Sequence, residues 1–453
     1  MESQNFETIH NDGADTRWMT PEEGRERRRR RPRSSLAELA DDPNRDPIAI
    51  TSADDADRLV DLLPERYLRM SASPFTWYRG SAAVMAHDLG ALPDSGIITQ
   101  LCGDAHISNF GVFASPEREL LFDVNDFDET SPGPFEWDVQ RLAASVVLAA
   151  RDLGVDAATQ RGIAKGATEG YRRSITALAA QGELDVWYRH VPVDELIVAI
   201  KSRSMRKTTE ATLAKARSRD AASAARKLTE TVDGKLRFKE DPPLLVRLPG
   251  IDHELMEQSL RSYLETLQPS RRRLLERFRV IDVARKAVGV GSVGTRCGIA
   301  LLEGRLHGEP LILQLKEAGP SVLEQYTAPD PTGHHGMRVV LGQRLMQAAS
   351  DIFLGWTTAP DGHHYYWRQL RDMKFSPDLS TMRPAGLALY AQMCGQVLAR
   401  AHARSGNRAA IAAYIGGGEQ FPTAVTAFAE AYADRAESDF ALMVEARADG
   451  RLP

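Results

Sequence analysis

The chain has 453 residues, 43% of them hydrophobic and 26% charged, proportions that exclude a collagenous, wholly disordered or disulfide-stapled protein. At about 100–200 residues per domain, this length predicts two to four domains. Lys and Arg number 57 against 62 Asp and Glu, a net charge of −5, so no global basic field points to nucleic acid.

No stretch approaches the roughly 18–20 apolar residues of a membrane span. The first residues lack the apolar core of a secretory signal. Cys102, Cys297 and Cys394 are odd in number and far apart, which argues against disulfides and a zinc knuckle. These bounds fit a cytoplasmic enzyme.

In chain order, residues 1 to about 50 are polar and carry an arginine-rich run from Arg25 to Arg33. Such a segment buries too little apolar surface to fold and is expected to stay solvated, although it would also serve as an electrostatic anchor for an acidic partner. Order is expected from about 54. Residues 97–101 and 119–127 read as strands, and 138–153 as a buried helix. From about 156 to 275 the composition is helical throughout, with its most basic part between Lys201 and Lys227, a solvated face or a phosphate-binding one.

The texture changes near 280. Residues 280–284 lead into a glycine-rich segment, and strand-like runs at 298–303 and 310–318 flank 304–309 as a hairpin. A helix at about 336–350 and strands at 352–358 and 364–370 follow. Pro384 then opens a long amphipathic helix through about Ser405, and the remainder is mostly helical.

Two constellations carry chemistry. The first is Cys102-Gly103-Asp104-Ala105-His106-Ile107-Ser108-Asn109, an Asp-x-x-x-x-Asn after a strand. Seventeen residues on (126 − 109 = 17) comes Asp126-Phe127-Asp128, at the end of another. Phosphoryl transfer needs one carboxylate to take the proton of the attacking hydroxyl, here Asp104. It also needs an amide oxygen and a second carboxylate to hold Mg²⁺ against nucleotide phosphates, here Asn109 and Asp126. Asp123 or Asp128 would serve in place of Asp126, and Asx turns explain the same residues structurally. His106 is a loop-packing residue or a ligand. Asp138 is a helix cap that also has the position to brace the loop.

The second constellation is Val288-Gly289-Val290-Gly291-Ser292-Val293-Gly294, a G-x-G-x-x-G. A dinucleotide site needs these glycines to open a helix, whereas here they run into a hairpin, the arrangement that covers phosphates in kinases. Gly289, Gly291 and Gly294 are the expected cradle. Ser292 is either a phosphate donor or a turn residue. Period-two alternation puts Leu311, Leu313 and Leu315 on one strand face and Ile312, Gln314 and Lys316 on the other. Lys316 reads as a phosphate-pairing lysine or as an exposed strand end. Glu324, eight residues on (324 − 316 = 8), is its candidate partner or an exposed helix residue.

The segment Tyr67–Gly80, the blocks 103–111 and 122–130, and 288–296 resemble the hallmarks of a bacterial family, domain of unknown function 2252, over about residues 55–440. The chemistry is similar to that of protein-kinase-like folds, especially aminoglycoside and choline-type kinases, whose loop reads His-Gly-Asp-x-x-x-x-Asn. Cys102 stands where those proteins have His, and Asp128 where their metal motif has Gly or Glu. The resemblance implies an α+β, two-lobed, kinase-like fold with ATP and Mg²⁺ as cofactors. In it Asp104 is the base, Asn109 and Asp126 bind metal, and Lys316 binds phosphate.

Because the glycine segment follows Asp104 by 185 residues (289 − 104 = 185), that fold would be circularly permuted. It implies a disordered tail at 1–50, a catalytic-loop and helical lobe at 55–275, a nucleotide lobe at 280–375 with Lys374 near its hinge, and completing helices at 380–453. Either the helix at 387–405 or one near 80–92 would lie under the catalytic loop. The expected function is an ATP/Mg-dependent phosphotransferase with an unknown hydroxyl acceptor. A nucleotide-binding module without turnover, an AMP transferase, and a metal-dependent hydrolase using Asp104, His106, Asp123 and Asp126 are the alternatives.

Overall fold

The computed structural model describes residues 18–199, 202–217, 221–248, 253–287, 291, 293–370 and 373–453. Order begins well before 54. Helix α1 (Pro21–Arg30) opens on a capping box in which Thr20 Oγ1 accepts from the Glu23 amide at 3.2 Å while the Glu23 carboxylate accepts from the Thr20 amide at 2.6 Å. Gly24 lets α1 lie against a later helix, since a Cβ there would sit 2.4 Å from the Ala410 carbonyl oxygen. Arg33 donates to the Ile415 carbonyl at 2.6 Å, and the Tyr414 hydroxyl donates to the Arg31 carbonyl at 3.1 Å. The expectation of a solvated tail therefore fails over 18–50; residues 1–17 lie outside the described residues. Among its arginines, Arg25 pairs with Glu22, Arg29 and Arg30 pair with Glu26 along α1, and Arg31 donates to the Ser35 carbonyl.

Short helices follow: α2 (Pro47–Asp54), α3 (Leu63–Met70), α4 (Pro74–Gly80) and α5 (Ala82–Gly90), each of the first three with proline in its first turn. Two small antiparallel pairs come next. β1 (Ile98–Leu101) pairs with β4 (Ser131–Pro134), and inside that pair β2 (Phe110–Ala114) meets β3 (Leu120–Val124). Pro134 leads into α6 (Phe135–Asp152), which is buried on nearly every side.

The segment expected to be helical throughout is mixed. It holds α7 (Ala157–Ala179), α8 (Glu183–Tyr188), α9 (Val193–Ala199), α10 (Arg203–Arg217), α11 (Ala221–Leu228), α12 (His253–Glu265) and α13 (Pro269–Leu275), but also β5 (Thr229–Val232), β6 (Lys235–Phe238) and β7 (Leu245–Arg247). The β5–β6 turn is Asp233-Gly234, both residues at positive φ (51° and 74°), a pairing that favours a two-residue hairpin.

The remaining strands are β8 (Phe278–Lys286), β9 (Cys297–Gly304), β10 (Pro310–Glu317), β11 (Gly355–Thr358) and β12 (His364–Gln369). They form an antiparallel sheet in the order β11-β12-β10-β9-β8-β7. Leu311 and Leu313 face Tyr263, Leu267, Leu275 and Phe353, with Trp367 stacked on Tyr263 at 5.0 Å. The opposite face, carrying Ala284, Ile299, Leu301 and Ile312, lies under Ala225 and Leu228 of α11 and Phe238 of β6. The strand alternation thus separates the faces as expected.

Helix α14 (His335–Met346) packs on β11 and β12. Helices α15 (Pro384–Ser405), α16 (Arg408–Ile415) and α17 (Gln420–Ala448) complete the helical half around α6 and α7. Gly395 makes the α15–α7 approach possible, for a Cβ there would be 2.0 Å from the Ala167 carbonyl oxygen. The chain is mixed α+β. Among the described residues no helix is long and apolar enough to cross a membrane.

Candidate active site

The loop after β1 is held from beneath. Asp138, in the first turn of α6 and 1% exposed, accepts the Cys102 and Gly103 amides at 2.9 and 3.1 Å. His402 Nε2, from α15, lies 3.1 Å from the same carboxylate, and its Nδ1 lies 2.8 Å from the Tyr171 hydroxyl. A proton on Nε2 satisfies both contacts, with Tyr171 donating to Nδ1. Asp138 is therefore a brace, and α15 reaches under the loop. Gly103 is at φ +84°, and a Cβ there would lie 2.0 Å from the Glu129 carbonyl oxygen. Gly103→Ala should cost about 2 kcal/mol or more in chemical denaturation, from backbone strain plus the displaced Glu129. An unchanged midpoint would contradict the close approach.

Asp104 follows directly. Arg141 of α6 donates to its Oδ1 at 2.8 Å, while the guanidinium also donates to the Tyr78 carbonyl at 2.7 Å and lies over the Tyr78 ring at 3.9 Å. Burial pushes the Asp104 carboxyl above the ordinary range, and Arg141 and Arg79 oppose that push. His106 is buried, which drives its pKa well below the usual value, helped by Arg79 and Arg141; its imidazole is neutral. Asn109 Nδ2 donates to the Asp104 carbonyl at 2.8 Å, leaving Oδ1 as the acceptor of that amide.

The Asp126–Thr130 turn faces this loop. Asp126 Oδ1 is buried with no hydrogen-bond partner among the described residues. Asp128 accepts from the Tyr366 hydroxyl at 2.6 Å and pairs with Lys316 Nζ. Lys316 is 2% exposed, and although burial alone would lower its pKa, Asp128 holds its ammonium above the ordinary range. The candidate Glu324–Lys316 pair does not form, since Lys316 pairs with Asp128. Glu324 instead closes a capping box with Ser321 and lies 3.4 Å from Arg338. Arg338 itself ties the turn to the sheet side, donating at 2.9 Å to both the Asp128 and Gly319 carbonyls. The local Ser-x-x-Glu cap outcompetes a reach back to the strand.

A cavity of about 150 Å³ separates these parts, lined by Asp104, Asn109, Asp126, Asp128, Arg79 and Gly291 among others. Gly289 and Ser292 lie outside the described residues. The Gly291 carbonyl accepts from Arg58 at 2.7 Å and Arg66 at 3.0 Å, and the Gly294 carbonyl accepts from the Leu59 amide at 2.7 Å. Gly294 is at φ +94°, and the segment then enters β9 rather than a helix, unlike a dinucleotide site.

Sequence reasoning missed the tethering arginines, which lie before the Tyr67–Gly80 segment or within its reach. It missed Arg79 as well, whose buried Nε has no hydrogen-bond partner among the described residues. The only available signal was Arg79 closing that segment.

Asp123 leaves the set of metal candidates. Both of its oxygens accept from the buried Arg400, at 2.6 and 2.5 Å, within β3. Among the described residues no three of His, Cys, Asp and Glu gather to hold a metal. Asp126 Oδ1 and Asn109 fit a Mg²⁺ that takes its other ligands from phosphate and water.

No curated protein and no solved structure matches the chain. A family model described as "Uncharacterized protein conserved in bacteria (DUF2252)" matches residues 58–446, well over half of the length, and the chain belongs to that family.

Proposed function

We propose that the protein is an ATP- and Mg²⁺-dependent phosphotransferase acting on a hydroxyl acceptor, built on a kinase-like, circularly permuted two-lobed arrangement. One observation carries this reading. Asp104, Asn109, Asp126 and Gly291, drawn from stretches remote in sequence, line one polar cavity. Asp104 takes the proton of the acceptor hydroxyl as its oxygen attacks the γ-phosphorus and ADP leaves. Arg141 orients that carboxylate. Asn109 and Asp126 would hold Mg²⁺, which neutralises charge on the phosphates. Gly291, held by Arg58 and Arg66, lines the cavity from a stretch remote in sequence from Asp104.

The contact of His402 with Asp138 supports α15, rather than α5, as the helix under the catalytic loop. The buried free thiols Cys102, Cys297 and Cys394 support a cytoplasmic setting. The hydrolase reading loses Asp123 to Arg400. A nucleotide-binding module without turnover draws support from the Lys316–Asp128 pair, which engages the lysine before any ligand arrives.

The test uses the full chain, Mg²⁺ and ATP labelled on the γ-phosphate, with candidate hydroxyl acceptors and water. Label transferred by the unmodified protein and lost in Asp126→Asn supports the reading. Binding of Mg-ATP with no transfer or hydrolysis supports the module instead.

A further inference from the structure

The inner face of the sheet carries more positive charge than its carboxylates neutralise. Gln314 sits opposite Arg368 and Lys316 opposite Tyr366, so all four share one face of β10 and β12. Asp128 is engaged at one oxygen by Tyr366 and at the other by Lys316. Arg368 is half-buried, and its Nε donates to Gln314 Oε1 at 2.9 Å. Lys374 is half-buried too, and its Nζ lies 3.3 Å from the Asn125 carbonyl. Among the described residues neither Arg368 nor Lys374 has a carboxylate within ion-pair distance, although partly buried cations ordinarily have one. Lys374 is pushed down to about 7 by burial and then by Arg368, which reports a cation crowded by another.

The apolar remainder of that face is not open. Ala225, Leu228 and Phe238 cover Ala284, Ile299, Leu301 and Ile312, the kind of surface a planar base would need. Beside it Gln314, Lys316 and Tyr366 are buried, while Arg368 and Lys374 keep part of their surface, a pair of cations suited to phosphate oxygens. The Asp126 side of the cavity adjoins it, since Lys374 Nζ lies 3.3 Å from the carbonyl of Asn125, the residue before Asp126.

We infer that Arg368 and Lys374, steadied by Gln314, form an anion subsite for a linear phosphate chain, and that the ligand is recognised by this chain rather than by a base. A nucleoside triphosphate and an inorganic tripolyphosphate share that chemistry. The subsite stands on its own charges and does not require that transfer occur.

Calorimetry on the full chain with Mg²⁺ distinguishes the sources, using sodium tripolyphosphate, ATP and GTP in turn. The expected result is that all three bind within about tenfold of one another, which is about 1.4 kcal/mol. Arg368→Gln and Lys374→Met should each weaken tripolyphosphate by about tenfold or more, while Lys374→Arg keeps it. ATP binding with no tripolyphosphate binding overturns the inference, and so does tripolyphosphate affinity unchanged in both charge-removing variants.

A measurement on the unmodified protein guards against variants that fail to fold. Tripolyphosphate should slow chemical acetylation of Lys374, read by peptide mass spectrometry, and absence of protection counts against the subsite. Cation-dependent tripolyphosphate binding without any transfer would leave the subsite standing and end the transferase reading. Asp126-dependent transfer without tripolyphosphate binding would do the reverse.

Discussion

Asp126→Asn should reduce transfer from Mg-ATP on the order of a thousandfold while leaving thermal unfolding unchanged or slightly raised. Both halves of that expectation come from one atom. Asp126 Oδ1 is buried and accepts no hydrogen bond among the described residues, so the substitution breaks no hydrogen bond at that oxygen, which is free for a metal. Asp104→Asn should lose a comparable share of transfer, roughly a hundredfold to ten thousandfold for a removed general base. Unlike the first, it should also lower the unfolding midpoint, because Arg141 loses its carboxylate. The loss stays moderate, since Arg141 keeps the Tyr78 carbonyl and ring. If Asp126→Asn destabilised the protein more than Asp104→Asn did, the assignment of the free carboxylate would be wrong.

Arg400→Met should be the most damaging single change to stability, at about 3–5 kcal/mol in denaturant unfolding. Arg400 and Asp123 are each 3% exposed, and both carboxylate oxygens accept from that one guanidinium, with the Val124 amide adding a bond to Oδ1 at 2.8 Å. Removing the cation strands a buried charge between α15 and β3. Asp123→Asn placed on top of Arg400→Met should recover part of the loss, the non-additivity expected of a direct pair. A loss under about 1 kcal/mol for Arg400→Met, typical of an exposed pair, would show that the pair is not buried as described.

How much of this was legible in the sequence depends on the range of the interaction. Asp104, Asn109 and Asp126 were legible because a loop and a short hairpin fix their mutual reach, and β2–β3 is that hairpin. The two faces of β10 were legible because alternation is local. The partner of Lys316 was not: Asp128 lies 188 positions away, and only the folded sheet brings it there, whereas Glu324, eight residues on and short for a partner on the next helix, is claimed by its own helix cap. The strands β5–β7 were hidden by helix-forming residues around them, although Asp233-Gly234 marked the turn. The ordering of 18–50 was hidden for another reason. Its burial depends on α16, whose surface appears only after nearly four hundred further residues have folded.

The hold of Arg58 and Arg66 on Gly291 has a bearing on how the cleft admits anything. Gly291, which lines the cavity, is held by Arg58, between α2 and α3, and by Arg66, within α3, so moving it means breaking guanidinium bonds to residues more than two hundred positions earlier. A chain trimmed to begin after Arg66 would keep most of the family-matched region and every proposed catalytic side chain, yet Gly291 would lose both of the guanidinium bonds that hold its carbonyl.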